Sequence, residues 1–195
     1  MILTALSALM VVSTIVLVWL KSIMSAIKIL SLQSLLLAAA SLSLAMRTGA
    51  AELYVIAALS LLVKAALIPY ILDRTMRRMN VKRETEKFIG RETSILAAAG
   101  IVVFSYAITG HFNGVMTELG KSYLPGSISM LLIGLFDMIT HKKAIMQGVG
   151  LIVMENGLFL FALSTANGMP FLVDVGIFLD VFVTVILIST LNYRM

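Results

Sequence analysis

The stretch from Gly148 to Ala166, GVGLIVMENGLFLFALSTA, is of hydrocarbon-spanning length and carries one ionisable residue, Glu155, near its centre. An ionised group at that depth costs about 2.5–3.5 kcal/mol on insertion-derived scales, so a chain that keeps one is expected to use it. The pattern recurs. Lys64 lies inside LYVIAALSLLVKAALIPYIL, Asp180 inside VGIFLDVFVTVILIST and Gln33 inside IKILSLQSLLLAAASLSLAM, each well away from either end of its run. These runs predict an all-α, polytopic membrane protein with a layer of polar and protonatable groups at mid-membrane.

Composition leaves little room for anything else. Of 195 residues, 60% are hydrophobic and 13% charged, and the mean hydropathy is +1.03, far from the range of a soluble domain. Apolar runs bounded by charge or turn residues give seven spans, 2–20, 23–46, 51–72, 94–110, 123–140, 144–166 and 171–192. The fourth is short for a crossing helix and admits a re-entrant alternative. The N-terminus has no basic region before its apolar stretch, which reads as a retained first span. With no Cys, and with His111 and His141 at span edges far apart in sequence, thiolate metal sites and iron–sulfur ligation are excluded, and no cofactor is expected on this chain.

Basic residues set the orientation. With the N-terminus outside, the inner side collects Lys21, Arg74, Arg77, Arg78, Lys82, Arg83, Lys87, Arg91, Lys142, Lys143 and Arg194, and the outer side only Arg47 and Lys121. The C-terminus is then inside, and the net charge of +5 reflects topology and not nucleic-acid binding. The one sizeable polar connection, Asp73 to Glu92, interleaves seven basic with four acidic residues. It suits a segment lying against lipid headgroups, or one docking a soluble partner.

Each charged residue within a span has a structural and a functional reading. Glu155, followed by Asn156 and Gly157, is either a neutral acid that hydrogen-bonds a neighbouring helix or a proton-exchanging carboxyl. Asp180 shares a helix face with Gly176 and Thr184 and admits the same two readings. Lys64 is too deep to snorkel and is expected to face protein, water or a carboxylate, with Ser60 one turn earlier on its face. Its structural reading is a fixed ion pair; its functional one is a coupled set with the carboxylates. Lys28 is near enough to the inner boundary to snorkel. Asp137 is expected to pair with Lys142 or Lys143 or to admit protons, Gln33 to serve helix packing or a water path, and both His to be interfacial. An intramembrane aspartyl protease is disfavoured: Asp137 and Asp180 lie at different depths, and neither has a Gly-x-Gly-Asp setting.

Several short motifs occur in order: Lys21-Ser22, Gln33-Ser34, the Lys64 to Pro69 run, the Met-Glu-Asn-Gly box at Met154 to Gly157, and the Asp174 to Asp180 segment. Through these the chain resembles the hydrogenase-4 component E family, membrane subunits of complex I-like group 4 hydrogenase and formate hydrogenlyase assemblies. Its last three spans also resemble the K subunit of respiratory complex I and the C subunit of multisubunit antiporters. His141 to Lys143 matches the basic turn of that subunit, Asn156 its Asn and Asp180 its last carboxylate. Its first carboxylate would fall at Ile152, whereas Glu155 stands one helical turn later.

The resemblance implies an N-terminal four-helix region, 1–122, with a basic cytoplasmic loop at 73–93, and a C-terminal three-helix region, 123–195. It also implies a non-catalytic subunit in the inner membrane, carrying a lateral proton or charge-coupling path. Glu155, Asp180 and Lys64 would carry that path, with Asn156, Asp137, Gln33 and Lys28 in support. Implied partners are antiporter-like and other membrane subunits, a hydrophilic nickel–iron hydrogenase or iron–sulfur arm, and lipid. A stand-alone ion or solute transporter and a purely structural spacer are the alternatives.

Overall fold

The computed structural model describes residues 2–49, 51–71, 74, 86–111 and 118–164. The seventh expected segment, with Asp174 and Asp180, lies outside the described residues, as does most of the basic loop.

Helices account for the described spans. They are α1 (Ile2–Trp19), α2 (Ile23–Thr48), α3 (Ala51–Leu59), α4 (Arg91–Gly110), α5 (Glu118–Thr140) and α6 (Ala144–Ser164). α3 continues as a π-helical stretch, Ser60–Leu67, before returning to α geometry through Ile71. Among the described residues, five helical segments are long and apolar enough to cross a membrane: Ile23–Arg47, Leu53–Ile71, Arg91–Gly110, Tyr123–Thr140 and Ala144–Ser164. Such segments keep every backbone hydrogen bond internal, which hydrocarbon requires. The short fourth segment of the sequence reading is an unbroken helix of 20 residues, because its first turn begins at Arg91, with the Ser94 amide bonded to the Gly90 carbonyl. α2 ends where Gly49 adopts a left-handed φ of 72° and its amide closes on the Ala45 carbonyl.

The tightest packing joins α5 and α6, antiparallel across the turn at His141 to Lys143. Three glycines make it possible. A Cβ on Gly134 would stand 2.5 Å from the Met154 amide nitrogen, one on Gly150 2.7 Å from that of Met138, and one on Gly157 2.7 Å from that of Leu131. Backbones this close supply the dispersion contacts that hold helices together where lipid removes the hydrophobic drive. α1 lies on α5 and α4, and α2 lies on α6, α1 and α3.

Among the described residues three apolar clusters result, the smallest joining Val18, Ala98 and Ile133; the two larger ones form layers. One joins Met10, Leu37, Leu44, Phe159 and Leu160. The other, nearer the basic turn, joins Leu17, Ile27, Leu30, Ile68, Val149 and Ile152. Thr14, Gln33 and Asn156 fall between these sets along their own helices, and all three are buried.

Candidate functional site: a buried ion pair and its amide line

Lys64 projects from the π-helical stretch of α3 into the middle of the bundle, where its side chain is fully buried. A π turn widens the helix and re-aims its side chains, and such turns gather at functional positions. The Lys64 Nζ stands 3.1 Å from Oε1 of Glu155 on α6 and 4.1 Å from the centroid of the Phe159 ring one turn on. The ring face adds to the carboxylate in compensating the ammonium. Ser60 is buried with Lys64 on α3, as their spacing predicts.

The same ammonium begins a line of hydrogen bonds. Lys64 Nζ donates to Asn156 Oδ1 at 3.5 Å, Asn156 Nδ2 donates to Gln33 Oε1 at 3.5 Å, and Gln33 Nε2 donates to Thr14 Oγ1 at 3.0 Å. The Thr14 hydroxyl in turn donates to the Met10 carbonyl at 2.9 Å. The direction is forced. An ammonium only donates, so Asn156 must turn its oxygen to Lys64 and its nitrogen to Gln33, and Gln33 must repeat the arrangement toward Thr14. The line crosses α3, α6, α2 and α1. Its middle members are amides, which polarise without titrating, so they offer no titratable group between Lys64 and Thr14.

A second charged group closes the basic end. Lys87, in the segment 86–90 that precedes α4, places its Nζ 3.1 Å from Asp137 Oδ1 on α5 and 2.8 Å from the Val18 carbonyl at the end of α1. His141 Nδ1 is 2.8 Å from the Asp137 carbonyl and 3.3 Å from Asp137 Oδ1. Backbone bonds fix the segment in place: the Phe88 amide reaches the Thr140 carbonyl and the Lys142 amide the Glu86 carbonyl. Burial pushes the His141 imidazole below its usual pKa, and the Asp137 carboxylate partly opposes this.

The structure thus brings Lys64, Glu155, Asn156 and Gln33 together and places Asp137 in the other cluster. Asp137 pairs with Lys87 and His141; the expected Lys142 or Lys143 partners point elsewhere, Lys142 over the Phe88 ring and Lys143 to Glu86. The reason is the 86–90 segment, which folds back over the turn and delivers Lys87. It also covers His141, which is fully buried at the helix end where an interfacial ring was expected. His111 is exposed at the end of α4, and Lys28 is exposed on α2. Asp180 lies outside the described residues. Thr14 and Lys87 were not singled out from sequence; for His141 the signal existed, since Asp137 and His141 are four residues apart and share a helix face.

These features define a helical membrane protein with an ion pair buried between its spans. No protein-family model matches the chain, and no solved structure matches it. Among curated proteins, an uncharacterised protein of Mycobacterium tuberculosis is 27% identical over 187 residues, 95% of this chain and 85% of that protein. Hydrogenase-4 component E of Escherichia coli K12 is 26% identical over 191 residues, 98% of this chain and 88% of that protein; that of Shigella flexneri aligns equally well. The chain is therefore a distant relative of hydrogenase-4 component E along nearly its whole length.

Proposed function

We propose that this chain is a membrane subunit of a complex I-like, energy-converting oxidoreductase of the hydrogenase-4 type, and that it carries part of a lateral charge-coupling path. The observation that carries the reading is the Lys64–Glu155 pair, wired through Asn156 and Gln33 to Thr14 across four helices. A change of charge or proton occupancy at Glu155 alters the field on the Lys64 ammonium, and so the polarisation of a line that ends on the far side of the bundle. That is what a subunit lying between neighbours needs in order to pass an electrostatic signal sideways. The distant relationship to hydrogenase-4 component E points to the same kind of assembly.

In this reading seven helices cross the inner membrane with the N-terminus outside, and Asp180 on the last adds a further carboxylate to the path. Redox chemistry takes place on partners: a nickel–iron or iron–sulfur arm, beside antiporter-like subunits. Lys28, exposed on α2, remains a supporting residue of the path.

Two steps test this. The particle released by gentle solubilisation is expected to contain antiporter-like subunits and a redox arm; a chain that runs alone is a transporter instead. In that particle, Glu155→Gln is expected to leave assembly and electron transfer intact while lowering ion translocation per electron. Unchanged translocation removes Glu155 from the mechanism.

A further inference from the structure

The cluster at the basic end has chemistry that the midplane pair lacks. His141 is fully buried, and its two ring nitrogens are in different states. Nδ1 faces the Asp137 carbonyl at 2.8 Å, and a carbonyl only accepts, so Nδ1 carries the hydrogen. The neutral ring then has a bare lone pair at Nε2, and among the described residues this buried nitrogen has no hydrogen-bonding partner. Asp137 Oδ2, also buried, is likewise unpartnered among them. A buried base with a fixed tautomer and a vacant lone pair, beside a carboxylate with a vacant oxygen, is arranged to accept a proton.

We propose that His141 is a proton-loading site at the basic end of the bundle, taking a proton at Nε2 from the water on that side. Asp137 fixes its tautomer, and Lys87 is a tethered cation that holds the 86–90 segment over it. In the loading step hydronium gives its proton to Nε2: one N–H bond forms, one O–H bond breaks, and water leaves. The charges around the ring set its affinity. Asp137 on α5 favours the imidazolium at 3.3 Å, while Lys87, on the same carboxylate oxygen at 3.1 Å, opposes it. Elsewhere, Glu86 of the covering segment is paired with Lys143, Lys142 lies over Phe88, and α6 contributes the uncharged Gln147, whose amide donates to the His141 carbonyl. The end of α1 offers the Val18 carbonyl, with Lys21 exposed beyond it, and α4 begins with Arg91 and Glu92, both exposed. Burial and Lys87 both lower the proton affinity of His141, so removing Lys87 relieves one directly and the other by loosening the cover. The role in translocation rests on the coupling reading above; the site itself is tested without it.

The chain has two His, which makes ring nitrogen resonances of the full-length, histidine-labelled protein in lipid nanodiscs directly readable. His111→Gln assigns them. His141 is expected as a single Nδ1-protonated tautomer at neutral pH, titrating below the usual imidazole range. Lys87→Met should raise the His141 midpoint by about one pH unit, tenfold in proton affinity, without moving His111, and Lys87→Arg should keep the wild-type midpoint. A mixed tautomer, a midpoint at or above the usual imidazole value, or no response to Lys87→Met overturns the proposal. The result stands or falls whether or not Glu155→Gln changes translocation, so the two readings fail separately.

Discussion

Among the described residues the bundle holds two buried Lys–carboxylate pairs of equal length, Lys64–Glu155 and Lys87–Asp137, each with 3.1 Å between nitrogen and oxygen. Their surroundings differ. The helix register set by Gly134, Gly150 and Gly157 places Asp137 level with residue 151, so Glu155 is about 6 Å deeper along the axis. At that depth the ammonium continues into side-chain amides on neighbouring helices, and the pair is tied laterally. Nearer the basic turn, the ammonium ends on a helix-terminal carbonyl and the carboxylate holds a histidine, and the pair is tied to the loop and the turn. The same two charges serve a line between helices in one place and a closure over a helix end in the other. What surrounds a buried pair, more than its own geometry, decides what it can do.

The comparison can be broken by removing each cation in turn. Lys64→Met leaves a buried carboxylate without its counter-ion, a change that costs roughly 3–5 kcal/mol, whereas an apolar pair is often neutral. Reversible unfolding in bicelles should therefore show a large loss for Lys64→Met and recovery when Glu155→Leu is added. Lys87→Met should cost about 1–3 kcal/mol, the penalty of an unsatisfied acceptor, because Asp137 keeps His141 as a neighbour. Equal losses at the two lysines would erase the distinction. The amide line gives a smaller effect. Gln33→Leu cuts it between Asn156 and Thr14 and should cost about 0.6–2 kcal/mol, in the range of polar contacts between membrane helices. A loss as large as that of Lys64→Met would mean that the line, and not the ion pair, holds the layer together. Smallest is Lys28→Gln, at an exposed position, expected to stay within about 0.5 kcal/mol of wild type by the same assay.

Much of this arrangement was legible in the sequence because depth in a membrane is a one-dimensional property. Apolar run length located the described helices, and the position of Lys64, too deep to snorkel, called for protein, water or a carboxylate beside it, of which the structure supplies Glu155. Gln33 and Asn156 were visible as polar residues at similar depth, although their bond is not a sequence signal. What the sequence hid depends on folding back. The 86–90 segment has no apolar periodicity, so nothing marked Lys87 as the partner of Asp137 fifty residues away or His141 as covered. The π-helical stretch around Lys64 was equally silent, since SLLVKAAL reads as ordinary α-helix.

In the proposed coupling role the charge of the midplane pair, and not only its packing, matters. Its most direct test is ion translocation per electron by the assembled complex carrying Lys64→Met together with Glu155→Gln, which replaces the pair with neutral groups of similar shape. An intact particle with normal electron transfer and lost translocation is expected. Translocation at the wild-type ratio would contradict it and reduce the pair to a device that sets helix register.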